Sequence, residues 1–323
     1  MVASGGPDNP LCQPSAYPAM ARLDQFESVF RAADKPVYAY ERVEIAKILV
    51  VADLPGPEVA EFRSGLQSFL SVLGDDTGAD SDAGADGDTG NETGAGLHWV
   101  DLGTDAFRSI EELLELVESE GPDLVCTYRN LFTKAWERPH SLGDYVDVLT
   151  QISPCPILVA PHPKAGREFD HAMKNTDRVM AITDHLTGDE RLVNYAVRFT
   201  SPGGTLFLSH VEDEAQFERY IATISKIPSI DTDDARGAIL EQLLKEPQDY
   251  VGSCRDILAA QEISLDTRAI VMLGHHLMEY KRLIVEHEVD LLVLNTKDED
   301  QLAMHGLAYP LAVELREIPL LML

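Results

Sequence analysis

The side chains best placed for chemistry are a basic cluster in an otherwise acidic chain. Arg129, Lys134, Arg138 and His140 fall close together, with Asn130 among them and Ser141-x-Gly143 directly after. Cationic donors gathered beside a hydroxyl and a glycine can hold a phosphate through side chains. They can equally pair with the chain's own carboxylates, and both readings stay open. Two further groups stand out by position. The apolar run KILVVAD ends in Asp53, and its echo RVMAITD ends in Asp184.

Other candidates carry less. His275-His276 follows a strand end, where open α/β sheets gather ligands, but no Cys or Glu stands at a recognised metal spacing. His210 lies inside an apolar run and reads as a satisfied core histidine. The acidic stretch 75–96 has a calcium-loop beginning at Asp80-x-Asp82. Gly84 then stands at the third ligand position and Asn91 where a bidentate glutamate belongs, so the pattern fails. No metal site is expected. There is no G-x-S-x-G elbow, Walker loop or G-x-G-x-x-G turn, and no catalytic constellation.

The whole chain has 323 residues, with 26 Lys+Arg against 55 Asp+Glu, for a formal charge of −29. Such a field repels nucleic-acid phosphates and anionic membranes, so neither is an expected partner. The acidity is shared: 12 basic against 29 acidic residues up to position 172, and 14 against 26 after it. Hydrophobic residues make up 45%, enough for sizeable cores. No apolar stretch approaches a bilayer span, and no signal-type start is visible. Cys12, Cys126, Cys155 and Cys254 are scattered, which suits reduced thiols in a cytoplasmic protein.

The elements that must hold these groups alternate. Strands are predicted at 46–53, 97–102, 123–128 and 156–160, with helices from 57 to 73, 110 to 120 and 142 to 152 between them. A second series has strands at 178–184, 205–211, 269–273, 290–294 and 319–323, and the polar, helical stretch 214–262. Continuous apolar strands alternating with helices imply a parallel sheet covered on both faces. DLVCTY…CPILVA and DLLVLN…IPLLML repeat strand type, order and spacing, the mark of an internal duplication. The expected organisation is an N-terminal extension 1–42, a first unit 43–163 with a flexible acidic insert 75–96, a linker 164–176, and a second unit 177–323.

On these residues the chain resembles the universal stress protein family. GPDLVCTYRNLF…HSLGDYVDVLTQISPCPILVA looks like the family's penultimate strand, loop, last helix and closing strand. LFLSHVED and IVMLGHHLMEYKRLIVEHEVDLLVLNT look like its second to fourth strands. The resemblance implies an α/β fold of two tandem doubly wound parallel-sheet units, Rossmann-like and adenine-nucleotide-alpha-hydrolase-like, forming a pseudo-dimer through their last strands. A homodimer by the same route and an unknown protein partner are also implied.

Nucleotide-binding relatives use an aspartate at the end of the first strand for adenine, and glycines after the fourth strand for phosphate. Asp53 and Asp184 match the aspartates. In the second half the glycine positions fall on Asn295 and Asp298, and Asp298-Glu299-Asp300 would face a triphosphate with like charge, so that site is degenerate. In the first half Tyr128 and Leu131 replace the paired glycines, while Arg129, Asn130, Lys134, Arg138, His140, Ser141 and Gly143 remain. The implied function is a non-catalytic, stress-responsive regulatory or binding protein with no required cofactor. The alternative is ATP, AMP or another phosphate ligand bound at Asp53 and the 129–143 loop. Nucleotide hydrolysis is the third reading.

Overall fold

The computed structural model describes residues 37–74, 96–134, 140–165, 169–183, 186–296 and 308–323. Asp184, Arg138, Asp298 and the acidic insert lie outside them. Among the described residues nine strands form one sheet, in the order β2-β1-β3-β4-β9-β8-β5-β6-β7. The first half supplies β1 (Lys47–Val51), β2 (His98–Leu102), β3 (Leu124–Tyr128) and β4 (Ile157–Ala160). The second supplies β5 (Arg178–Ile182), β6 (Thr205–Asp213), β7 (Asp266–Gly274), β8 (Leu291–Leu294) and β9 (Leu320–Met322). The inner strands read as unbroken apolar runs because both faces are covered.

Alternate residues of each strand enter two separate cores. Leu49, Val125, Ile157, Met180, Leu292 and Met322 face one side, with helices α2 (Ile110–Glu120), α3 (Asp144–Ile152), α7 (His276–Glu286) and α8 (Ala308–Glu314). Ile48, Cys126, Leu158, Val179, Val293 and Leu321 face the other, with α1 (Gly56–Phe69), α4 (Glu190–Phe199) and α6 (Thr232–Ala260). The remaining helix, α5 (Glu214–Ile224), precedes α6. Local signals set the helix starts. Ser109 accepts from Glu112 N while the Glu112 carboxylate accepts from Arg108 N, one residue before the cap. Asp189, Asp213 and Asp231 cap α4, α5 and α6 by accepting from backbone N–H groups of the first turn.

Equivalent contacts recur in the two halves. Asp123 Oδ2 accepts from Lys47 N, and Lys47 Nζ pairs with Glu120. Asp290 Oδ2 accepts from Arg178 N, and Arg178 Nη1 pairs with Glu288. The copies are not equal, however. Only the seven residues 103–109 join β2 to α2, too few for another helix and strand, so β7 with its α5–α6 crossover has no counterpart among the described residues of the first half. The last strands meet at the centre, β4 antiparallel to β9 through Ile157–Met322, Leu158–Leu321 and Val159–Leu320. Their other edges hold β3 and β8. A second copy therefore finds no free edge on either last strand, which removes the route expected for a homodimer.

Asp290 gives a pH signature. Its carboxyl is 3% exposed and burial pushes its pKa up to about 6, with Arg178 N–H, His171 and Arg178 pulling against this. The folded value thus lies above the unfolded one. The stability this group contributes is present below pH ~4 and lost as pH rises through about 6. Asp290→Asn keeps an acceptor for Arg178 N and removes the titration. Relative to wild type, the variant should gain about 2 kcal/mol between pH ~4 and ~7, read from denaturant unfolding at each pH. A difference that stays flat across that window would refute the assignment.

Candidate functional site

The loop after β3 and the end of β1 come together as the residues anticipate, but they close on one another. Asp53, half-buried just past β1, is held on both oxygens. The Tyr128 hydroxyl donates a short hydrogen bond to Oδ1, and Phe132 N donates to Oδ2 at 3.0 Å. Asp53 N in turn donates to the Tyr128 hydroxyl oxygen at 2.9 Å. The Tyr128 ring is fully buried, edge-on to Phe62 and to His162 at 5.2 Å each. Burial, reinforced by Asp53, pushes the phenol pKa far up, so it stays a donor. Burial pulls His162 down to about 4, which leaves that imidazole neutral at pH 7.

Arg129 does not present its charge to a ligand, contrary to the sequence expectation. β3 ends at Tyr128, and the next residue turns its side chain across the molecule to α8. There Nη1 donates to Ala312 O in a short bond and Nη2 to Leu315 O at 2.5 Å. The residue is 3% exposed, and burial together with Arg316 pulls its pKa down to about 9, so it remains charged. The last carbonyls of a helix lack partners of their own, and a cation there suits both them and the helix dipole.

The rest of the loop is built for shape. Asn130 sits at φ 59°, its N donating to Leu142 O at 2.6 Å and its Nδ2 to Ser141 O at 3.2 Å. Gly143 stands before α3 at φ 95°, where a Cβ would lie 2.8 Å from Asn130 Cα; only glycine fits there. Ser141 Oγ accepts from Gly143 N at 3.3 Å. Lys134 and His140 are exposed, so among the described basic residues these two remain at the surface of the loop. Phe132, Phe107 and Tyr145 pack as an aromatic cluster beside it. Sequence reasoning met Tyr128 only as a replacement for a glycine, and missed Phe132 and His162 as members of this site.

In the second half Asn295 is half-buried, and its Nδ2 donates to Asp189 Oδ2 at 2.6 Å. That carboxylate also caps α4. Thr296 N and Oγ1 both donate to Leu323 O, so the backbone after β8 closes on the last strand. His276 follows β7 as predicted and bonds Val211 O at 2.7 Å. His210 is a core residue with a correction: Nε2 meets Glu212 at 3.4 Å, while Nδ1 has no hydrogen-bond partner. Among the described residues no three His, Cys, Asp or Glu side chains are placed to hold a metal. No helix of the described residues is long and apolar enough to cross a membrane.

No family model and no curated relative matches the chain. Solved structures do. A putative universal stress protein from Pseudomonas aeruginosa UCBPP-PA14 is similar at 13% identity over 86% of this chain and 93% of that one, with a TM-score of 0.47. A functionally unknown protein from Pseudomonas aeruginosa PAO1 gives 13%, 86%, 92% and 0.46. A universal stress protein from Archaeoglobus fulgidus DSM 4304 gives 12%, 85%, 95% and 0.45.

Proposed function

We propose that the chain is a cytoplasmic, stress-responsive regulatory or binding protein of universal stress type, acting through protein contacts and without nucleotide turnover. Its halves, 43–163 and 177–323, are read as a tandem pair joined like a dimer. The observation that carries the reading is the closed first-half site. Both Asp53 oxygens are engaged by Tyr128 and Phe132, where an adenine-binding aspartate needs one free. Nucleotide binding there would have to break two half-buried hydrogen bonds and dislodge a packed tyrosine, each step subtracting from affinity. Arg129, the strongest phosphate ligand by type, is committed to backbone carbonyls. The charge of −29 argues further against anionic ligands in general.

Calorimetric titration of ATP, ADP and AMP, with and without Mg²⁺, tests this on the whole chain. No heat is expected for any nucleotide. Saturable binding that weakens in Lys134→Ala or Ser141→Ala would overturn it in favour of a first-half phosphate site, and steady release of inorganic phosphate would favour a hydrolase.

A further inference from the structure

A second cleft opens in the second half, where α7 meets the stretch that leads from α8 into β9. It has a volume of about 270 Å³. Its apolar lining comes from Ile284 and Val285 of α7, Leu315 and Ile318 of that stretch, and Phe169. Two ties hold the walls. Lys281 Nζ meets Glu314 Oε2 at 2.6 Å, joining α7 to α8, and Arg129 Nη2 holds the Leu315 carbonyl at 2.5 Å. Walls fixed in this way lower the ordering cost of taking up a ligand.

The cleft also carries two charges without a close counter-charge. Arg316 and Glu317 both line it, each half-buried. Neither takes part in an ion pair among the described residues, and their charged groups stay more than 4.0 Å apart. Lys281 and Glu314 already satisfy one another. Arg129 feels both charges, but its Nη donors are committed to Ala312 and Leu315. Charges that are partly desolvated and not hydrogen-bonded are unfavourable until a partner arrives.

We propose that this cleft binds a small aliphatic α-amino acid as its zwitterion, with the carboxylate on Arg316, the ammonium on Glu317 and the side chain on the apolar lining. A guanidinium takes a carboxylate through two parallel N–H donors. The cavity falls just below the range of about 300–1,000 Å³ that suits drug-sized ligands, so its occupant has the size of leucine and not of a nucleotide. The chain's charge of −29 repels an anion but leaves a zwitterion, which has no net charge, unopposed. The cleft shares no residue with the Asp53 loop, and binding here does not depend on whether nucleotide binds there.

Equilibrium dialysis of radiolabelled leucine against the full chain tests the proposal. Saturable binding is expected, with a dissociation constant below about 1 mM. Arg316→Gln and Glu317→Gln should each weaken it about tenfold. Val285→Trp, at a position 59% exposed, should block the cleft with an unchanged circular-dichroism spectrum. Competition by two analogues decides the matter on the wild-type chain even if a variant folds poorly. Leucinamide lacks the carboxylate and 4-methylpentanoate the ammonium, so each should compete at least about tenfold more weakly than unlabelled leucine. No saturable binding of leucine overturns the proposal. So does binding indifferent to both charge substitutions, or analogues that compete as well as leucine.

Discussion

Leu321→Asp should yield no folded protein. Leu321 is fully buried at the middle of β9, opposite Leu158 of β4 and Val293 of β8, and so in the seam where the two halves share one sheet. Losing the leucine costs about 2–5 kcal/mol. An unpaired carboxylate in its place adds several more, or takes up a proton to avoid them. Against a total stability of about 5–15 kcal/mol that is enough to unfold a domain. The soluble fraction after expression and the guanidinium midpoint are the readouts, with Leu321→Met as the volume-matched control, expected to cost under about 1.5 kcal/mol. A soluble aspartate variant with a wild-type midpoint would show that β9 does not join the halves.

The contrast between what the residues announced and what they hid follows the physics. Strands such as Ile157–Ala160 and Leu291–Leu294 announce themselves because a strand covered on both faces has no polar position to spare. The pairing of β4 with β9 was expected from the family resemblance, though its antiparallel sense was not. The inequality of the halves shows in the predicted strands, four in the first half and five in the second. Residues 214–262 read only as polar and helical. In the structure they are the 11-residue α5 and the 29-residue α6, the covering that β7 requires.

At the site, residue type was legible and direction was not. Tyr128 in a glycine's place reads as lost backbone access. The structure adds that its hydroxyl reaches back to the Asp53 carboxylate. Asn130 at φ 59° and Gly143 at φ 95° bend the loop so that it closes, and neither angle is written in side-chain chemistry alone. Arg129 is the sharpest case. Its charge suggested an anion, yet its partners are carbonyls in the other half of the chain, at a helix end whose position only the folded sheet determines.

That geometry makes Arg129→Ala the second large effect expected. The substitution strips two charge-assisted donors from the Ala312 and Leu315 carbonyls and leaves a cavity beneath α8. Relief from burying a guanidinium offsets part of the loss. The balance should fall at about 3–4 kcal/mol, read from denaturant unfolding. Arg129→Met, which refills the volume without donors, should lose about 2 kcal/mol, and Arg129→Lys should fall between, since an ammonium cannot span both carbonyls. A ligand-binding arginine behaves oppositely. Held buried for an absent anion it would be a burden on the fold, and alanine would leave stability unchanged or raised while abolishing phosphate binding. The sign of the stability change therefore separates a clamp between the halves from a binding residue.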